Sequence, residues 1–230
     1  MNKDFCPPVR DQLNCGSCTA FGTVGTWETI LAKENKYVDL SERDLFACSE
    51  GDCGYGNYIE DTIMQAQRGV ALEADAPYDG VDHACGDKPP DWWKRGWKVL
   101  SWEVVKTFGE IKEHLLIEPL VGSMIVRQSF MNYTSGVYHN LGEGDPIIGN
   151  HCIELVDYDP IIDAILIRNS WGLGWGMAGY AWVDLNEIDP KAFSIETSDV
   201  PLTDPGPPPS IWQRLWWKIE AIIRRIFGRR

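Results

Sequence analysis

Leu13–Phe21, LNCGSCTAF, sets two cysteines three apart with Gly16 and Ser17 between them and an apolar run behind. That spacing is open to four readings: part of a metal clip, a redox couple, halves of two different bonds, or a place where one sulfur attacks. Zinc would need a second Cys-x-x-Cys or a His-x-x-x-His, and the chain has neither. A thioredoxin-like couple needs a βαβ setting, whereas the β-rich runs here come mostly later. A nucleophilic thiol needs a base brought to it from elsewhere in the chain. Beyond the pair, Phe21, Val24, Trp27, Ile30 and Leu31 recur at helical spacing, which predicts a helix over 18–34. Cys18 would then sit at a helix N-terminus, where a thiolate is favoured.

Working outward, Ser41 and Asp44 mark the start of a second helix over 41–48, and a third is predicted over 58–68. From about residue 98 the texture changes to short β-rich runs, VGSMIV, CIELVDY and AILIRNS, separated by Gly, Pro and Asp. The chain of 230 residues is 44% hydrophobic, enough for a sizeable core. Its formal charge of -13 argues against a nucleic-acid partner, and no phosphate-binding or dinucleotide fingerprint is present. No stretch reads as a membrane span, and MNKDFCPPVRDQ lacks the apolar run of a signal peptide. Seven cysteines, an odd number, fit disulfides plus at least one free thiol, and disulfides imply an extracellular, lumenal or other oxidising compartment.

The C-terminal texture differs again. Residues 202–209 read as a stiff proline-rich linker, dividing a body over 1–201 from a tail over 210–230. On a helix the tail would gather Trp212, Leu215, Trp216, Ile219, Ile222, Ile223, Ile226 and Phe227 into an arc of about 140°. The tail carries six Lys/Arg and one Glu, +5, so the preceding 209 residues carry -18. A basic, Trp-rich amphipathic helix reads as an anchor on an anionic membrane surface, with Trp212, Trp216, Ile219, Ile223 and Phe227 on the lipid side. Docking onto the acidic body or another protein is the alternative.

Of four histidines, His83 lies in an acidic loop-like stretch, His114 in a helical pattern and His139 beside a turn, while His151 begins a buried-looking strand. Three blocks then come into register: PVRDQLNCGSCTAFGTV at 8–24, GNHCIELVDYD at 149–159 and IRNSWGLGWGMAGYAWV at 167–183. They resemble the nucleophile, histidine and asparagine segments of papain-like cysteine peptidases, in the family's order. LSERDLFACSEGDCGYGN and APYDGVDHAC extend the resemblance over roughly residues 5 to 199.

The resemblance implies an α+β, two-lobed fold with a helical lobe and a β-barrel-like lobe meeting at a cleft. It implies hydrolysis of polypeptide substrates through a thioester, with neither metal nor cofactor. Cys18 would be the nucleophile, His151 its partner and general acid, and Asn169 the orienter of the imidazole. Trp171 would shield the His–Asn bond, and Gln12 would supply a side-chain donor to the oxyanion hole. The family pattern pairs Cys15 with Cys53 and Cys48 with Cys85, and leaves Cys6 and Cys152 unassigned. It places Tyr55, Gly56, Asn150 and Cys152 along the substrate. Gly56 would offer backbone hydrogen bonds, Tyr55 would crowd the cleft, and Cys152 would line the main side-chain pocket.

Three stretches depart from the family. Thr19 replaces an aromatic residue, Cys53-Gly54-Tyr55-Gly56 replaces Cys-Asn-Gly-Gly, and Asp157 and Asp159 replace glycines in what reads as a turn. A transpeptidase or cell-wall peptide hydrolase with the same residues is a second reading. A catalytically altered scaffold serving as a binding or membrane-active module is a third.

Overall fold

The computed structural model describes residues 1–198 and 200–202. The tail helix expected over 210–230, with its membrane-facing side chains, lies outside the described residues, as does all of the linker but Leu202. No helix among the described residues is long and apolar enough to cross a membrane.

The first half is helical. Helix α1 (Cys18–Lys33) is buried on every side from Thr19 to Ala32, so it is a central helix and not an amphipathic surface one. Helix α2 (Glu42–Cys48) starts where the Ser41 hydroxyl accepts the Asp44 N–H at 2.9 Å. Helix α3 (Ile59–Ala66) ends shortly before Gly69, whose φ of +113° a side chain would resist.

The second half is mainly strands: β1 (Val99–Val105), β2 (Leu120–Arg127), β3 (Val137–Tyr138), β4 (Ile147–Asp159), β5 (Ala164–Arg168), β6 (Tyr180–Asp184) and β7 (Ala192–Thr197). They form one sheet in the order β1-β7-β2-β4-β5-β6-β3, antiparallel except where β3 meets β6. Among the described residues β1 and β3 are not paired to each other, so the expected barrel-like lobe is an open sheet. Helix α4 (Phe108–Leu115) is inserted between β1 and β2. It is opened by a capping box in which the Thr107 hydroxyl accepts the Glu110 N–H and the Glu110 carboxylate accepts the Thr107 N–H. Helix α5 (Gln128–Met131) is a single turn after β2.

Two cores flank the sheet. Leu120, Ile153, Leu155, Ile165 and Ile167 pack with α4 and α5 on one side. Val121, Cys152, Phe193 and Ile195 pack with α1–α3 on the other. Strand β4 is therefore buried continuously from His151 to Asp157, as a strand covered on both faces must be. Helix α1 approaches β4 closely because Gly22 and Gly25 carry no side chain: a Cβ at Gly22 would lie 2.6 Å from the Cys152 sulfur, and one at Gly25 would collide with the Arg168 guanidinium. Beneath Gly25, Arg168 and Glu154 form a buried ion pair at 2.6 Å, and Thr29 donates to Glu154 at 2.7 Å. An isolated buried charge would be costly, so the pair is retained together.

Asp157 does not sit in a turn. It follows a register shift within the β4–β5 pairing, and its carboxylate accepts the N–H groups of Asn2 and Lys3 at 2.9 and 3.1 Å. The position taken for a loop change thus pins the N-terminal segment to the sheet.

Candidate active site

The N-terminal segment threads between the lobes. Gln12 N–H donates to Ser170 O at 2.8 Å, Gly172 N–H to Arg10 O at 3.1 Å, and Asp11 bridges to Trp171. This brings the loop before α1 against the end of β5. The loop is then fixed from the helical side by the Cys15–Cys53 disulfide and by Gly16 N–H bonding Cys53 O at 2.8 Å. A second disulfide joins Cys48 to Cys85, leaving Cys6, Cys18 and Cys152 as free thiols. Because Cys15 and Cys53 are bonded to each other, their sulfurs are not thiolate ligands, although Asp82 lies beside them.

Cys18 opens α1 and shares one cleft, of about 2610 Å³, with Gln12, His151 and Trp171. His151 lies on β4, opposite Met124 of β2, and is nearly buried. Its Nε2 lies 2.7 Å from the Asn169 side-chain oxygen, just past the end of β5. That oxygen can only accept, so Nε2 carries the proton and Nδ1 is the basic nitrogen. Asn169 is itself held, since its N–H donates to Gly179 O at 2.9 Å. Trp171 stacks on the imidazole with ring centroids 4.7 Å apart and 28° between planes, and is braced by Phe130 and Trp175. The indole thus lies over the imidazole of the His–Asn pair.

Burial raises the Cys18 thiol above its ordinary value, while backbone hydrogen bonds from Cys152, Thr19 and Cys18 itself act to lower it. Burial also lowers the His151 imidazole to about 4, against the opposing effect of Asn169. Each group alone therefore resists charging.

The Gln12 carboxamide is oriented from both ends. Ser170 donates its hydroxyl to the oxygen at 2.5 Å, and the nitrogen gives one N–H to Cys15 O at 2.8 Å, leaving a second for a ligand. Ser170 and Tyr78 are supports that the sequence reading did not single out. The Tyr78 hydroxyl donates to Gln12 O at 2.7 Å and so accepts from the Ser17 hydroxyl, also at 2.7 Å, tying the Gln12 backbone to the Ser17 side chain on either side of Cys15.

The substrate-facing expectations are revised at two positions, Gly56 and Tyr55. The Gly56 N–H, expected to be free for a peptide, is spent on Asp52 O at 2.7 Å, and its carbonyl accepts from Asp52 N at 3.3 Å. Tyr55 is 96% exposed on the rim and does not crowd the cleft. Cys152, among the residues that line the cleft, is 3% exposed and packs its sulfur against Gly22 of α1. Asn150, paired with Ile125, is exposed in the cleft. Thr19 is buried and accepts a hydrogen bond from Thr62 at 3.0 Å, so the missing aromatic ring is replaced by a polar link between α1 and α3.

The sequence matches the profile of the papain family cysteine proteases over residues 2–200. It is 33% identical over 189 residues to Cysteine proteinase 1 of Entamoeba histolytica, covering 75% of this chain and 58% of that protein. It is 32% identical over 198 residues to Cathepsin K of Gallus gallus, covering 80% and 57%. The structure resembles the Carica candamarcensis cysteine protease CMS1MS2, solved with E-64, at a TM-score of 0.70 and 24% identity over 84% of this chain and 94% of that one. The bromelain protease of Ananas comosus, solved with the E64 inhibitor, gives 0.70 at 21% identity over 85% and 95%. The chain therefore belongs to the papain family of cysteine proteases and has its α+β fold. It spans about half the length of the curated relatives it matches.

Proposed function

We propose that this chain is a thiol peptidase in which Cys18 attacks the carbonyl carbon of a polypeptide substrate. The observation that carries the proposal is the oriented His151–Asn169 pair under Trp171, in one cleft with a cysteine at the first turn of a buried helix. His151 Nδ1 takes the thiol proton as the C–S bond forms. The carbonyl oxygen becomes an oxyanion that receives the Cys18 N–H and the second Gln12 N–H. The imidazolium returns the proton to the departing amine as the C–N bond breaks, leaving a thioester. Water, deprotonated by the same nitrogen, then releases the acid and restores the thiol. The two disulfides support an oxidising compartment for this chemistry.

The test is intact mass and peptide mapping after treatment with an epoxide inhibitor, in parallel with turnover of a peptide library. One label at Cys18, with turnover, is expected, and both should vanish in His151→Ala. Burial holds the Cys6 thiol up at about 12 and that of Cys152 well above its ordinary value, so neither competes for the reagent. Labelling independent of His151, or none at Cys18, would reject the proposal.

We further propose that residues 210–230 hold the peptidase at an anionic membrane surface. The support is the basic, Trp-rich pattern of the tail beside a body of charge -17. Co-sedimentation of the full chain with vesicles should require anionic lipid and weaken as salt rises. Binding indifferent to both would exclude a membrane role and favour protein docking.

A further inference from the structure

Glu60 and Lys191 form an ion pair that joins the two lobes within the cleft. Glu60 projects from the first turn of α3, two residues before Thr62, whose hydroxyl bonds Thr19 next to Cys18. Lys191 lies in the loop before β7, two residues after Asp189. Asp189 N–H donates to Ser123 O at 2.8 Å, and the Asp189 carboxylate accepts the Lys191 N–H at 2.9 Å. Ser123 faces Cys152 across the β2–β4 ladder, and Cys152 follows His151. One half of the ion pair is thus tied to the neighbour of Cys18, and the other to the neighbour of His151. The Cys152 thiol registers this proximity, being raised by burial first and by the charges of Cys18 and Glu60 after it.

Both partners remain reachable from the cleft, with the Glu60 side chain 29% and that of Lys191 47% exposed. The ammonium also lies 4.9 Å from the centroid of the buried Phe193 ring, so the wall is apolar below and ionic above. We infer that the Glu60–Lys191 pair sets side-chain selectivity in this cleft: closed, it admits uncharged substrate side chains, and with either partner removed the survivor recruits the opposite charge. This rests on the peptidase reading above. A charged side chain entering beside the pair must displace one partner and is repelled by it, with both ions partly desolvated. An uncharged side chain meets the aliphatic stem of Lys191 and leaves the pair intact.

The experiment compares kcat/KM across a positional peptide library for the full chain and for Lys191→Met and Glu60→Gln, each checked for an unchanged thermal transition. Lys191→Met should gain roughly tenfold for Arg and Lys at one position, and Glu60→Gln roughly tenfold for Asp and Glu at that same position. Uncharged peptides should change by less than about twofold. Variant profiles that superimpose on the unsubstituted protein would overturn the inference. So would a shift of both variants towards the same charge, the sign of lobes merely loosened. If the unsubstituted protein turns over no peptide at all, the peptidase reading fails and this inference falls with it. An active protein with unchanged selectivity defeats this inference alone.

Discussion

Gln12 illustrates how little freedom the site leaves to a side chain that has no charge. Its oxygen is held by Ser170, the residue after Asn169, and one N–H is held by Cys15 O, so the direction of the remaining N–H is set before any substrate arrives. Such preorganised donors act on charge that develops during reaction, and therefore contribute to the transition state more than to substrate binding. Gln12→Ala should lower kcat by about 10²–10³ with little change in KM. Steady-state kinetics on one peptide checks this, and a rise in KM at unchanged kcat would place Gln12 in ground-state binding instead. His151 and Cys18 show the complementary arrangement. Each is discouraged from charging by burial, opposed by backbone hydrogen bonds at Cys18 and by the Asn169 side chain at His151.

At the scale of elements, the local signals were legible and the long-range ones were not. Apolar spacing behind Cys18 predicts α1 to within a residue, and Ser41 and Asp44 mark α2, because caps and periodicity are written in neighbouring positions. The Thr107–Glu110 capping box is an equally local signal for α4, a helix the sequence reading touches only through the helical pattern around His114. Strand order has no such local signature. That β7 lies between β1 and β2 depends on which faces the two cores cover. The candidate site residues stand out only through resemblance, since Cys18, His151 and Asn169 lie far apart in the chain. Ser170, Tyr78 and the Glu60–Lys191 pair act through contacts that no spacing announces. Likewise, the single step from His151 to Cys152 reverses which face is served, because the pleat alternates.

Across the whole molecule, the lobes are held by the N-terminal segment as much as by the cleft. Arg10 reaches Glu42 at 2.6 Å and Glu28 at 3.4 Å, and also pairs with Asp39, while its carbonyl accepts from Gly172 of the β-rich lobe. One guanidinium thus serves three carboxylates, two of them nearly fully buried. Burial raises Glu28 to about 8 and Glu42 to about 7, despite Arg10. A carboxyl raised on folding favours the native state most below its unfolded value near 4.5, and that contribution is lost as pH rises through 7 to 8. His151 acts oppositely. Lowered to about 4 from 6.5, it favours the native state above 6.5 and loses that contribution as pH falls towards 4. Glu28→Gln isolates the first effect, because an amide keeps the acceptor for the Leu40 N–H, now at 2.7 Å, without the ionisation. The variant should match the unsubstituted protein near pH 4, where Glu28 holds its proton when folded and largely when unfolded, and melt several degrees higher at pH 9, at roughly 2–4 °C per kcal/mol for a chain of this size. Thermal unfolding followed across that range checks this. A gap that stays constant with pH would mean that Glu28 is ionised throughout and that Arg10 outweighs its burial.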